Sequence, residues 1–329
     1  MDQLHDCIII GAGPAGLACG IEARKRGLDF LIVEKGMVVD SLYNYPTHMT
    51  FFTTSELLEI GGVPMVVAAE KPKRLDGLVY YRRVADEFRL PIKDYEEVLG
   101  ISGSEGDFRV ATRDYFAVDH CYRARRIIIA TGYYANPNRL GVPGEDLPNV
   151  SHYYRDAHPY FRKRVVVVGG KNSAALTALE LFRNGAAKVS LVHRGDRMSS
   201  DVKYWVLPDI NNRIKAGEIT AYFRTRLVEI RPREVVLSTP EGAKVIENDF
   251  VLLMTGYHPD LDFLTQAGIE VGEENLAPRH DPETLESNVK GIYLAGAVVS
   301  GRNTNEIFIE NGRFHGEQIF KHWPLKTET

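Results

Sequence analysis

Two glycine-rich hexapeptides are the segments of this chain whose residue types and spacing are best suited to chemistry. Gly11, Gly13 and Gly16 lie in 11–16 (GAGPAG), directly after the apolar run 7–10 (CIII). Gly169 and Gly170 open 169–174 (GGKNSA), directly after 165–168 (VVVV). Each has the strand, tight turn and helix setting in which a bare backbone closes on a pyrophosphate and a helix N-terminus points at it. In the first copy Gly11 permits the turn out of the strand and Gly13 lets a phosphate approach. Pro14 and Ala15 open the helix, and Gly16 lets it pack on the strand. The second copy departs from this pattern at Lys171, which stands where the second glycine would be. Its side chain either points away or meets the phosphate itself. Asn172 and Ser173 continue that loop, and Ala174 takes the close-packing position. Two such loops predict two dinucleotides, with electrons passing between them.

The residues after each second strand separate the two ligands. The segment 30–33 (FLIV) ends in Glu34 and Lys35, and a carboxylate there accepts both hydroxyls of an adenosine ribose. The segment 188–192 (KVSLV) ends in His193 and Arg194, with no acid in the place of Glu34. Without that acid the ribose 2′-oxygen can carry a phosphate, to which Arg194 offers a forked set of donors. Lys203 is a candidate second cation and Arg197 a weaker one; the missing acid favours NADPH over NADH.

The first site is assigned to FAD from the rest of the chain. Segments 126–132 (RIIIATG, ending Ala130, Thr131, Gly132) and 250–256 (FVLLMTG, ending Gly256) resemble strands of two-dinucleotide flavoprotein reductases. Segment 291–296 (GIYLAG) resembles the strand whose end meets a flavin ribitol. The aspartate usual after its last glycine, Gly296, is here Ala297, so that carboxylate contact is either missing or replaced by backbone and water. A helix through 307–311 is expected to turn its N-terminus, at Asn305, Glu306 and Ile307, towards the flavin, where its dipole stabilises negative charge.

These loops need scaffolds, and 329 residues are enough for two domains. The expected class is α/β: two Rossmann-like, three-layer (ββα) dinucleotide-binding domains. Residues 1–135 and 257–329 form an FAD domain interrupted by an NADPH domain at 136–256. The crossings fall at 133–137 (YYANP) and 257–260 (YHPD), and a small antiparallel sheet is expected from 109–118 and 122–129. A net charge of −4 offers no basic face for nucleic acid, and no window is apolar enough for a membrane helix. Residues 1–6 lack the basic start of a signal peptide. The three cysteines, Cys7, Cys19 and Cys121, make neither a metal pattern nor a disulfide framework. A reduced, cytoplasmic protein is expected.

The layout resembles the low-molecular-weight thioredoxin reductases, except that their C-x-x-C is absent. The matching stretch, 150–161 (VSHYYRDAHPYF), has no cysteine. A fuller resemblance is to the bacillithiol-disulfide reductase family. It is carried by 34–36 (EKG), 41–48 (SLYNYPTH), 50–52 (TFF), 79–82 (VYYR), 130–134 (ATGYY), 157–161 (AHPYF), 169–174, 256–260 (GYHPD) and 307–312 (IFIENG). That resemblance implies an FAD- and NADPH-dependent reductase of a small thiol disulfide, acting as a homodimer. Many members carry a cysteine in the first phosphate loop; here the position is Ala15. Cys19, one helical turn on, is either a stand-in or, as an apolar helix facing a sheet favours, an inert buried thiol. No catalytic residue is assigned.

Tyr43, Tyr45 and His48 are expected to line or cover the flavin, His48 either as a proton donor or as a packing residue. Tyr153, Tyr154 and Arg155 are expected to flank its approach. The rival readings are a ferredoxin–NADP reductase docking on Lys71, Lys73, Arg74, Arg82 and Arg83, and a non-catalytic FAD/NADPH redox sensor. A flavin monooxygenase is disfavoured, because F-x-G-x-x-x-H is not found before the second glycine loop.

Overall fold

The apolar run at 7–10 shows no polar–apolar alternation, which suits a parallel strand covered on both faces. In the computed structural model, which describes residues 3–323, it lies in β1 (Leu4–Ile10). Then come α1 (Pro14–Lys25), β2 (Phe30–Val33), α2 (Asp40–Tyr43), α3 (Arg74–Glu87), β3 (Ile92–Lys93), β4 (Glu96–Ser104), β5 (Asp107–Asp114) and β6 (Asp119–Ile129). Pro14 begins α1, where its missing N–H costs nothing. Strands β3, β2, β1 and β6 run parallel in that order. The first half of β6 pairs antiparallel with β5, and β5 with β4. One long strand thus passes from a surface meander into the parallel sheet.

The chain then builds the same plan again. It forms β7 (Val150–Ser151), β8 (Arg164–Val168), α4 (Asn172–Arg183), β9 (Lys188–Val192), α5 (Leu207–Lys215), β10 (Thr220–Tyr222), β11 (Arg226–Arg231), β12 (Glu234–Thr239), β13 (Gly242–Glu247) and β14 (Phe250–Leu253). The parallel order is β10-β9-β8-β14-β7, with β11, β12 and β13 as a separate antiparallel sheet. The second sheet shows why the run at 165–168 is all valine. Val165 and Val167 pack with Ala175, Ala178 and Leu179 of α4. Val166 and Val168 pack with Leu227, Val235 and Leu237 of the antiparallel sheet. Alternate side chains of one strand therefore fill the two cores of a ββα sandwich, each burial stabilising by about 1.5–3 kcal/mol.

After β14 come α6 (Leu261–Gln266), β15 (Ile292–Leu294), α7 (Ile309–Gly312) and α8 (His315–Lys321), with β15 completing the first sheet beside β6. The chain divides into two compact units. One holds residues up to Asn44, His48–Asn136 and residues from Tyr257 onward; the other holds Tyr45–Thr47 and Pro137–Gly256.

The helix expected through 307–311 is corrected to a single turn that starts only at Ile309. The Asn311 side chain accepts from the Phe308 N–H and donates to the Glu306 carbonyl, holding 306–308 as extended chain. Ile307 therefore precedes the helix.

Candidate functional site

The first loop separates glycines that the chain itself needs from one that it does not. Gly11 has φ +107°, and a Cβ there would sit 2.6 Å from the Ala130 carbonyl oxygen. A Cβ on Gly16 would overlap the carbonyl of Gly11. Around Gly13, which precedes α1 with ordinary extended backbone, nothing lies within 4 Å of where a Cβ would be. Nothing in the chain around it requires its bareness, and no side chain caps the start of α1. That is the cradle a pyrophosphate needs.

Glu34 sits beside this loop, buried, its carboxylate accepting from the N–H of Ala12 (2.7 Å) and of Gly36 (2.9 Å). Burial raises its carboxyl above the usual range, and the two N–H groups pull it back down. Two acceptor directions remain for ribose hydroxyls, so the residues present fit an adenosine end. Lys35 is exposed next to it. The Ala130 N–H donates to Ile10 (2.8 Å), and Thr131 and Gly132 (φ +66°) lead the chain away from the strand end.

His315 is a residue the sequence reading missed. Its Nδ1 accepts from the Gly296 N–H at 2.9 Å. A Cβ on Gly296 would lie 2.6 Å from the Ala15 methyl, so the Gly296–Ala297 turn is pressed onto the phosphate loop. Burial pushes His315 down to about 4, with His280 adding to the effect. It is therefore a neutral acceptor at physiological pH. The signal was a histidine in a helix that buries Gly316, Ile319 and Phe320, which one sequence cannot connect to Gly296.

The aromatic expectations divide. Arg74 lies over the Tyr43 ring (5.7 Å) and donates to the Tyr43 carbonyl. Burial pushes the Tyr45 hydroxyl up to about 12. Tyr45 belongs with Thr47 in the second unit, where the Thr47 N–H donates to Arg155; exposed His48 belongs to the first. Tyr154, expected to flank the flavin, is instead a core residue of the second unit beside Tyr160, Val165 and Ala178. The amphipathic ring was drawn inward by the strand it precedes.

In the second loop a Cβ on Gly169 would overlap the Met254 carbonyl. Lys171 takes the place of Gly13; its Nζ pairs with Asp201 at 3.1 Å, and the side chain is largely exposed. Ser173 is exposed in the first turn of α4, Ala174 is fully buried, and Gly256 (φ +87°) ends the last strand's loop. His193 occupies the place of Glu34, its ring seated where Cβ atoms on Gly170 or Gly195 would be. Burial first, and then Arg194, lower its pKa. The Ser199 N–H donates to Gly170 (2.9 Å) and the Lys203 N–H to the Asn172 Oδ1 (2.9 Å). That strap puts Lys203 beside the start of α4, while Arg194 stays exposed beyond β9.

Cys7 and Cys19 are fully buried and unpaired. Burial pushes Cys19 up to about 12 and Cys7 higher still, so neither supplies a thiolate. Cys121 is exposed on β6. Among the described residues no cluster could hold a metal, and no helix is long and apolar enough to cross a membrane.

Residues 8–296 match the family model of pyridine nucleotide-disulphide oxidoreductases. The chain belongs to that family. It is 45% identical to bacilliredoxin reductase Bdr of Bacillus subtilis, over 95% of either chain. It is similar to the structure of bacillithiol disulfide reductase Bdr from Bacillus cereus, with TM-score 0.95, 43% identity and 97% and 98% of the two chains covered. The Staphylococcus aureus structure of the same name gives TM-score 0.92 and 43% identity, over 98% of each chain. The family resemblance read from the sequence and its α/β fold class are borne out. The chain is an oxidoreductase that works with FAD and NADPH.

Proposed function

We propose that this enzyme passes electrons from NADPH through FAD to a low-molecular-weight thiol disulfide, bacillithiol disulfide, with no thiol of its own in the relay. FAD, when bound, supplies the two-electron chemistry that no side chain of the chain can. The first unit is the FAD domain. Its Gly11–Gly16 loop and α1 hold the pyrophosphate, Glu34 takes the ribose hydroxyls, and the Gly296–Ala297 turn and Ile307 meet the flavin side. The second unit is the NADPH domain. Its Gly169–Ala174 loop holds the diphosphate, and Arg194 takes the 2′-phosphate with Lys203 as a second cation. One observation carries the thiol-free route: both cysteines in the first unit's core are buried and protonated, and the third is a lone surface residue. The substrate class is supported by the full-length similarity to proteins named bacillithiol disulfide reductase.

Enzyme reduced anaerobically with NADPH and mixed with bacillithiol disulfide in a stopped-flow instrument should regain the visible absorbance of oxidised flavin. Oxidised bacilliredoxin and ferredoxin form the other arms, the former because one relative is named bacilliredoxin reductase. Reoxidation by ferredoxin alone would overturn the proposal. We also place the enzyme in the cytoplasm as a homodimer; sedimentation at twice 36.9 kDa checks the second point.

A further inference from the structure

Beyond their glycine loops, the two units repeat one another down to single hydrogen bonds. In the first, the Glu34 N–H donates to Lys93 (2.8 Å), Tyr95 to Gly36 (2.8 Å) and Glu96 to Glu34 (2.9 Å). In the second, the His193 N–H donates to Tyr222 (2.9 Å), Arg224 to Gly195 (2.7 Å) and Thr225 to His193 (3.1 Å). Arg224 thus stands in the second unit where Tyr95 stands in the first. Both adopt the left-handed backbone, with φ 54° at Tyr95 and 49° at Arg224. Large side chains are uncommon in that region. Here the clip between neighbouring strand ends imposes it twice.

What the clip presents differs between the units. In the first it sets an aromatic ring one strand away from a loop with a carboxylate. In the second it sets a guanidinium one strand away from Arg194. β9 and β10 are parallel, with Val192 opposite Tyr222, and beyond them the Arg224 N–H donates to the carbonyl of Gly195, the residue after Arg194, so the two arginines come from neighbouring strand ends. Both side chains are exposed, and neither has an ion pair or side-chain hydrogen bond among the described residues. The acid of this loop, Asp196, lies 3.9 Å from Arg197. His193 points back onto Gly170. Two adjacent like charges repel, and a dianion between them reverses the sign.

We propose that Arg224 grips the 2′-phosphate of NADPH together with Arg194, and so is a second determinant of NADPH over NADH. The inference rests on the reading of the second loop as the NADPH site. Two guanidinium forks arriving from neighbouring strands suit a tetrahedral phosphate, which one fork cannot enclose.

The test is calorimetric titration of the flavin-loaded enzyme with 2′,5′-ADP and with ADP. The wild type should bind 2′,5′-ADP more tightly. Arg224→Ala should weaken that binding roughly 10- to 100-fold, as loss of a charge-assisted hydrogen bond does, and leave ADP unchanged. Arg224→Lys should recover part of the loss. Arg224→Gly suits the left-handed backbone and keeps the test decisive if the alanine variant folds poorly. Arg226→Ala, two residues on, should change neither ligand. In turnover the loss should fall on KM for NADPH, with kcat and the NADH parameters unmoved. Unchanged 2′,5′-ADP binding in Arg224→Gly, with Arg194→Ala losing it, would overturn the inference and leave the NADPH site standing. Equal weakening of both ligands would overturn it too. A wild type that does not distinguish them would instead remove the NADPH reading.

Discussion

The first and second phosphate loops are one design with two endings. Gly11 and Gly169 both lie against a carbonyl of the neighbouring strand, of Ala130 and Met254 respectively, and both remain glycine. Gly13 and Lys171 both precede the helix, and there the second copy carries a long side chain that leaves for Asp201. A glycine demanded by the chain's own backbone is retained in both copies, whereas one that only makes room for a ligand is replaceable if its side chain finds another partner. The endings differ in charge. Glu34 offers a carboxylate tied to the loop N–H at Ala12, whereas His193 lays its ring on Gly170 and Arg194 stands exposed beside it.

The largest effect should come from separating the two kinds of glycine. Gly16→Val would drive a side chain into the Gly11 carbonyl and should prevent folding of the first unit, seen as insoluble or molten protein by circular dichroism. Gly13→Val should purify colourless yet keep the melting curve of the flavin-stripped wild type, since nothing lies within 4 Å of the new Cβ. A yellow Gly13→Val protein would break the comparison.

Next comes Arg194→Ala, which should raise KM for NADPH roughly 10- to 100-fold and leave that for NADH nearly unmoved. Equal effects on the two coenzymes would show that the second ending does not read a 2′-phosphate.

A smaller effect is tied to pH. His315 in the folded protein titrates at about 4, against 6.5 for the free side chain. The unfolded chain therefore binds the proton first as pH falls. Stability should be fully present above pH 6.5 and drop by up to about 3 kcal/mol on going down to about 4. Asparagine can place an acceptor where Nδ1 stands, so His315→Asn should flatten this slope in urea melts while retaining flavin. An unchanged slope would mean that other groups dominate acid sensitivity.

The smallest effect is expected at Cys19→Ala. Turnover should stay within about twofold, because a thiol held protonated by burial supplies no nucleophile. A collapse of activity with intact flavin would restore Cys19 as a participant.

Much of this was legible along the chain. The runs at 7–10 and 165–168, the two loops, the strand Phe30–Val33 and its terminal Glu34 all stand where their local patterns place them. Less legible was the antiparallel sheet β11–β13. Its strands present polar faces, and Leu227, Ile230, Val235, Leu237 and Ile246 mark the buried side. The helix at 307 was over-read because the apolar pair Ile307 and Phe308 continues its pattern, while the Asn311 side chain ends the helix from the N-terminal side.

From the sequence alone came the number of nucleotides, the acid at one strand end and its absence at the other. Turn sterics and strand-end chemistry depend on neighbours a few residues apart, so a linear reading suffices for them. That His315 holds Gly296, that Lys171 pairs with Asp201, and that Arg224 reaches the residue after Arg194 was decided only by folding. Sheet register and helix docking join residues about twenty or thirty positions apart, and no local pattern encodes which partner each will meet.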